Sequence, residues 1–247
     1  MGRVRAVLFD AVGTLFFSRR PVAEVYAAAG RERGLDLTAA TVRERFVAAF
    51  ERHFGRLTPQ SPSEQTVTSE ALERQRWRAV VREVFDPLPG GHEELFAQLW
   101  EHFARGPSWQ LYSDVEEIWR ELCHLPDLQL GIASNYDGRL LTVLRDLPPL
   151  NDCRWVFHSA GIGFAKPGRR FFQEIERRLG LGPEELLFVG DDRVNDYEGA
   201  RQAGWQALWL VRAAEGDVEW PRIRSLSEVR DWLRQHGEAD GDGAGRG

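Results

Sequence analysis

Apolar and polar positions follow two rhythms along this chain. Near the start, Val4-Arg5-Ala6-Val7-Leu8-Phe9 is a short apolar run that stops at Asp10, with Gly13-Thr14 just beyond. A run of this length, ended by a carboxylate and a glycine turn, predicts a strand buried on both faces. The pattern returns at 128–134, 155–159, 186–190 and 207–211. Helical periodicity separates these runs: Asn195-Asp196 opens a short helix to Gly204, Pro167 stands at the start of one carrying Phe171, Ile175 and Leu179, and Ser113-Asp114-Val115-Glu116 reads as a capping box. Strands alternating with helices at this spacing predict an α/β fold, a Rossmann-like doubly wound parallel sheet.

Between Pro21 and Asp114 the strand runs vanish. Pro21 opens a helix that stops at Gly34, and Val42, Phe46, Ala49 and Phe50 mark one face of the next. Residues 57–68, rich in Pro, Ser and Thr, read as a loop. Ser69 opens a helix with the stripe Trp77, Val80, Val81 and Val84, and Phe96, Leu99, Trp100 and Phe103 form another after the Pro-Gly break at 87–91. These aromatic stripes are expected to be bundle core. The chain therefore divides into a Rossmann-like core at 1–17 and 112–236, an inserted helical cap at 18–111, and a glycine-rich acidic tail at 237–247 expected to be disordered.

The chain has 247 residues and a formal net charge of -6. That balance gives no reason to seek nucleic acid or an anionic membrane surface. No apolar run reaches the length of a membrane span, and Cys123 and Cys153 fit no metal-ligand spacing, so a cytoplasmic protein with free thiols is expected. The sequence leaves a monomer and a homodimer equally open. One bias matters: Lys and Arg total 32, and Lys166 is the only lysine. Either one lysine has survived by chance in an arginine-rich composition, or that position calls for a compact ammonium that a planar guanidinium cannot replace.

In an open α/β sheet, ligands bind at the carboxyl edge of the strands. Three strands end there in Asp10, Ser134 and Asp191, and Lys166 begins a helix in the same layer. Asp10 has the character of a carboxylate nucleophile. Asp191, Asp192 and Asp196 cannot crowd Asp10 as bare anions, so a hard divalent ion, Mg²⁺ before Ca²⁺, is expected among them. Ser134 and the backbone N–H groups after it suit phosphate oxygens. The chemistry this predicts is an in-line phosphoryl transfer, or another displacement by a carboxylate.

These residues resemble the haloacid dehalogenase-like (HAD) hydrolase superfamily. Its first motif, Asp-x-Asp-x-Thr, corresponds to Asp10-Ala11-Val12-Gly13-Thr14; its second to Ser134; its third to Lys166-Pro167; its fourth to Gly190-Asp191-Asp192-Arg193-Val194-Asn195-Asp196. The helical insert resembles a type-one cap of subfamily IA. Ser134-Asn135-Tyr136-Asp137 and the fourth motif are most similar to the rhythmically expressed gene 2-like branch. The resemblance implies a Mg²⁺-dependent phosphatase of a small phosphorylated metabolite, working through an aspartyl-phosphate on Asp10. It implies Ser134 and Lys166 as catalytic partners, Thr14, Asn135, Ser134 and Lys166 against the substrate, and Asp10, the Val12 carbonyl, Asp191, Asp192 and Asp196 around the metal.

The departure is Val12. Family phosphatases carry there a second Asp that protonates the leaving oxygen and activates water, a contribution of roughly 10²–10⁴-fold for groups of this kind. Two alternatives follow. A 2-haloacid dehalogenase expels halide without a proton, but such enzymes resemble this chain with Tyr at the third place of the first motif and without the Gly-Asp-Asp cluster. A non-catalytic binding protein on the same fold would keep the pocket and lose the reaction.

Overall fold

The computed structural model describes residues 3–86, 88, 90–213 and 221–237. Its strands in chain order are β1 (Ala6–Phe9), β2 (Phe16–Ser18), β3 (Trp109–Leu111), β4 (Gln129–Ser134), β5 (Trp155–His158), β6 (Leu186–Gly190), β7 (Gln206–Leu210) and β8 (Arg222–Ile223). Six of them form one sheet in the order β5-β4-β1-β6-β7-β8, parallel throughout. The α/β reading of the sequence holds. Two additions to it are β8, too short to show as an apolar run, and the β2–β3 pair.

The central strand explains the apolar run. All four residues of β1 are buried. Val7 and Phe9 face one side, with Ile132, Leu187 and Val189; Ala6 and Leu8 face the other, with Ala133, Leu186 and Phe188. Burial on both faces removes the polar alternation of a half-exposed strand. Parallel register then aligns the strand ends. Phe9 lies opposite Ile132 on one side and Val189 on the other, so Asp10, Ser134 and Asp191 emerge at one edge.

The insert is a bundle of four helices, α1 (Val22–Arg31), α2 (Ala39–Phe54), α3 (Glu70–Val84) and α4 (His92–His102). Thr38 caps α2 by accepting from the Thr41 N–H, and Ser69 caps α3 by accepting from the Leu72 N–H. Most of the expected stripes are core: Val42, Ala49, Val80, Val81, Val84, Phe96, Leu99 and Phe103 are buried and Tyr26 stacks on Phe85, but Phe46, Trp77 and Trp100 are half-buried and Phe50 is exposed. The two chain crossings into this bundle pair with each other as an antiparallel ribbon, Phe16 opposite Leu111 and Ser18 opposite Trp109.

The core helices are α5 (Val115–Cys123), α6 (Arg139–Arg145), α7 (Ser159–Ile162), α8 (Arg169–Leu179), α9 (Gly199–Ala203) and α10 (Ser227–Gly237). A π-helical turn, Arg193–Glu198, precedes α9. The expected capping box at Ser113–Glu116 does not form: Asp114 makes no cap hydrogen bond to α5, and its carboxylate instead accepts from Arg212, Ser225 and the Leu226 N–H. The expected tail at 237–247 lies outside the described residues except for Gly237, which ends α10. No helix among the described residues is long and apolar enough to cross a membrane.

The expected loop at 57–68 is not free of structure. Residues Ser63–Thr66 form a 3₁₀ turn, and Thr66 to Thr68 lie along the core loop before Lys166. The Ala165 N–H donates to the Thr66 carbonyl at 2.8 Å, and the Thr68 N–H donates to the Gly163 carbonyl at 3.0 Å.

Candidate active site

Lys166 organises the pocket. It is 2% exposed, and its three N–H donors go to Asp10 Oδ1 at 2.7 Å, Asp196 Oδ1 at 2.6 Å and the Ala133 carbonyl at 3.2 Å. Its Nζ also lies 4.8 Å from the centre of the Phe188 ring. Burying an ammonium is costly unless every donor is met and opposite charge is adjacent. Burial opposes its charge, but the Asp10 and Asp196 carboxylates outweigh that and hold the ammonium above the usual lysine range.

The loop carrying Lys166 is fixed by Asn135. Its Oδ1 accepts from the Lys166 N–H at 2.8 Å, and its Nδ2 donates to the Lys166 carbonyl at 2.9 Å. Both ends of the amide are spent on this loop, so Asn135 acts in this structure as a brace between the second and third motifs. Ser134 is buried at the end of β4, directly beside it.

On the other side of Asp10, the Thr14 hydroxyl donates to Asp191 Oδ1 at 2.9 Å and accepts from the Asp191 N–H at 3.1 Å. This approach demands glycine twice. Gly13 has φ of +94°, and a Cβ there would lie 2.3 Å from Asp191 Oδ2. A Cβ on Gly190 would lie 2.2 Å from Asp196 Oδ2. The residue Asp191 is exposed at the pocket mouth, yet its carboxylate is wedged against Gly13 and Thr14. Desolvation of that carboxylate, then the charge of Asp10, pushes Asp191 up to about 6. Asp196 is likewise raised, by burial first and Asp10 second, with Lys166 opposing.

Asp10, Asp191 and Asp196 each present a carboxylate oxygen within 4.8 Å of the other two. One ammonium answers three carboxylates, and it reaches only Asp10 and Asp196. Asp191 has a neutral hydroxyl alone. This excess of negative charge and the all-oxygen donor set suit a hard divalent cation. Asp196 has both oxygens engaged, with Lys166 and with the Asp192 N–H at 2.9 Å. Asp192, placed by sequence reasoning among the metal ligands, stands outside the three. Its carboxylate accepts from the Val194 and Asn195 N–H groups and from Asn195 Nδ2. An Asp at the head of a tight turn satisfies its orphan N–H groups, and that local role wins here.

Val12 is 39% exposed, one residue before the Gly13 turn, and its backbone is bridged to Phe16. Arg19 braces the hinge: its N–H donates to the Ser108 carbonyl and its Nε to that of Pro107.

Sequence reasoning missed two residues. Arg212 donates to the Thr14 carbonyl at 2.8 Å and to Asp114 at 2.9 Å, tying the first motif to the point where the cap returns to the core. Arg139, the first residue of α6, makes a two-toothed bond to Asp137 and lies 3.5 Å from the centre of the Trp100 ring in the cap. Its closeness to Ser134-Asn135 was the only available signal.

The description "haloacid dehalogenase-like hydrolase" matches residues 4–204. The human haloacid dehalogenase-like hydrolase domain-containing protein 3 is 29% identical over 214 residues, covering 85% of this chain and 82% of that protein. The rhythmically expressed gene 2 protein of Drosophila melanogaster is 24% identical over 219 residues, covering 84% and 83%. Among solved structures, a HAD hydrolase of Bacillus subtilis, YfnB, bound to magnesium, superposes with a TM-score of 0.66 at 21% identity, covering 94% of this chain and 99% of that one. L-2-haloacid dehalogenase of Xanthobacter autotrophicus, with chloropropionic acid covalently bound, gives 0.70 at 18% identity, covering 94% and 99%. At these identities the two structures speak for the fold, while the match over residues 4–204 speaks for descent: the chain belongs to the haloacid dehalogenase-like hydrolase family.

Proposed function

We propose that this protein is a Mg²⁺-dependent phosphatase-type hydrolase of a small phosphorylated metabolite, with Asp10 as nucleophile. The observation that carries the reading is the charge count of the pocket: three carboxylates within 4.8 Å of one another and one ammonium that reaches two of them. Asp10, Asp191 and the Val12 carbonyl would hold Mg²⁺, which supplies positive charge against the phosphoryl oxygens when bound. Asp196 sets Lys166 rather than serving as a free ligand, since both its oxygens are engaged. Asp10 directs Oδ1 at Lys166, which leaves Oδ2 for attack on phosphorus. Lys166 stabilises charge on the nucleophile and the transferring group. Ser134, buried at the strand end, is the hydroxyl available to a phosphoryl oxygen.

One observation favours a second reading, a 2-haloacid dehalogenase: the exposed apolar side chain at position 12. The uncompensated carboxylate of Asp191 counts against it, because an anionic haloacid adds charge and brings no cation. The deciding assay is phosphate release from an aryl phosphate with and without Mg²⁺, run beside halide release from a 2-haloacid. Mg²⁺-dependent phosphate release is expected. Halide release without metal would replace this reading with the second.

A further inference from the structure

The loop of the first motif is held from outside at two successive carbonyls. The Tyr112 N–H donates to the Leu15 carbonyl at 3.1 Å, and Arg212 Nη2 donates to the Thr14 carbonyl at 2.8 Å. Arg212 is itself fixed on two sides. Its Nη1 donates to Asp114 Oδ2 at 2.9 Å, and its guanidinium carbon lies 3.9 Å from the centre of the Tyr112 ring. Asp114 Oδ2 also accepts from Ser225 Oγ at 3.0 Å and from the Leu226 N–H at 2.8 Å. A planar fork can meet a carboxylate and a carbonyl at once, and a compact ammonium in its place cannot. Tyr112 and Asp114 lie just after β3, where the cap returns to the core, so Arg212 joins that crossing to the first motif.

From Thr14 the contacts run on into the pocket without slack. Thr14 is fully buried. Its hydroxyl donates to Asp191 Oδ1 and accepts from the Asp191 N–H. Against the other carboxylate oxygen stands Gly13, where even a Cβ would lie 2.3 Å from Oδ2. Close-packed groups transmit a displacement because there is no void to absorb it. Where Arg212 holds the Thr14 backbone therefore decides where Asp191 stands.

We propose that Arg212 is a positioning residue for the metal carboxylate. Acting through Thr14, it fixes Asp191 against Asp10, and so sets both the affinity for Mg²⁺ and the preference for Mg²⁺ over Ca²⁺. It touches neither metal nor substrate. The proposal rests on the Mg²⁺ reading above. Mg²⁺ demands near-octahedral oxygen ligands at short distance, whereas Ca²⁺ accepts irregular and longer sets. A carboxylate that drifts therefore loses more Mg²⁺ than Ca²⁺. Charge alone acts the other way: removing a cation from beside an acidic pocket favours either divalent ion. Position and charge thus predict effects of opposite sign on Mg²⁺ binding.

The test is calorimetric titration of Mg²⁺ and of Ca²⁺ into wild type, Asp191→Asn, Arg212→Met, Arg212→Lys and Ser225→Ala, with thermal unfolding of each. Ser225→Ala takes a donor from Asp114 but leaves the bond from Arg212 to Thr14. Wild type is expected to bind Mg²⁺, and Asp191→Asn to lose it. Arg212→Met weakens Mg²⁺ binding by roughly 10–100-fold, the range for residues that orient metal ligands, and Ca²⁺ binding by less. Arg212→Lys, able to meet Asp114 or Thr14 but not both, falls between, and Ser225→Ala matches wild type. If Arg212→Met does not fold, Arg212→Lys carries the same ratio of affinities. With 4-nitrophenyl phosphate, Arg212→Lys raises the Mg²⁺ concentration needed for half-maximal rate and regains most of kcat at saturation. Tighter Mg²⁺ binding, or a ratio of Mg²⁺ to Ca²⁺ affinity unchanged in the folded Arg212 variants, would overturn the proposal and leave the Mg²⁺ reading standing. No Mg²⁺ binding by wild type would overturn both.

Discussion

Two junctions join the cap to the core, and they are built differently. The first is the β2–β3 ribbon, where the two chain crossings pair with each other. It lies just after Asp10 and Thr14 and is made of backbone hydrogen bonds between apolar strands. The second is a polar seam with no chain crossing. Thr66 and Thr68 bond to Ala165 and Gly163, Glu70 accepts from the Gly138 N–H at 2.9 Å, and Arg139 reaches from the core to Trp100. Each junction carries one half of the pocket. The ribbon continues the loop of the nucleophile, and the seam grips the loop of the ammonium. Cap position is therefore coupled to the Asp10–Lys166 pair from both sides.

The largest effect comes from removing the point where the halves meet. Lys166→Met leaves Asp10 and Asp196 buried and unpaired. It is expected to end turnover and to cost about 3–5 kcal/mol, measured by urea unfolding. Arg139→Ala breaks the seam and strips the partner from Asp137, which is 1% exposed. A loss of about 3 kcal/mol is expected, with the nucleophile untouched. Unchanged stability would show that the cap sits on the ribbon alone. Gly168→Ala would place a Cβ 2.6 Å from Thr66 Cγ2. It should cost about 1–3 kcal/mol by overpacking and lower kcat/KM through the Lys166 loop, whereas an equal insertion on the far side of the cap should not. Glu70→Gln is the mildest: its carboxylate is more than half exposed, so less than about 1 kcal/mol is expected.

A pH experiment separates the charge balance of the pocket from its packing. Without a cation, Asp191 titrates near 6 in the folded protein, above the ordinary carboxylate value. Its contribution to stability is present below the unfolded pKa and is lost as pH rises through about 6. Mg²⁺ must displace that proton. The rise in Tm on adding Mg²⁺ is therefore expected to be larger at about pH 7 than at about pH 5, and Asp191→Asn should abolish the difference.

The residues that line the pocket were legible in the sequence, and the two junctions that hold the cap against them were not, for a physical reason. Strands buried on both faces must be written as continuous apolar runs, so their ends, Asp10, Ser134 and Asp191, could be found by where each run stops. Lys166 stood out because every other basic residue is arginine. The β2 and β3 strands are three residues each and β8 is two, too short for any periodicity. The seam is assembled from single polar residues distant in sequence, Thr66 with Ala165 and Arg139 with Trp100, and no local pattern records such pairs. Two polar signals had competing local meanings. Asp192 resembles a ligand beside Asp191, yet it satisfies its own turn. Ser113–Glu116 has the spacing of a capping box, yet Asp114 serves Arg212 and the loop before α10.

The most direct test of the account is the covalent state of Asp10 during turnover. Protein quenched in acid while turning over 4-nitrophenyl phosphate with Mg²⁺ is digested and read by mass spectrometry. The account predicts phosphate on the peptide containing Asp10, lost when Mg²⁺ is chelated and absent in Asp10→Asn. An unphosphorylated Asp10 that instead becomes alkylated by a 2-haloacid without metal would contradict it.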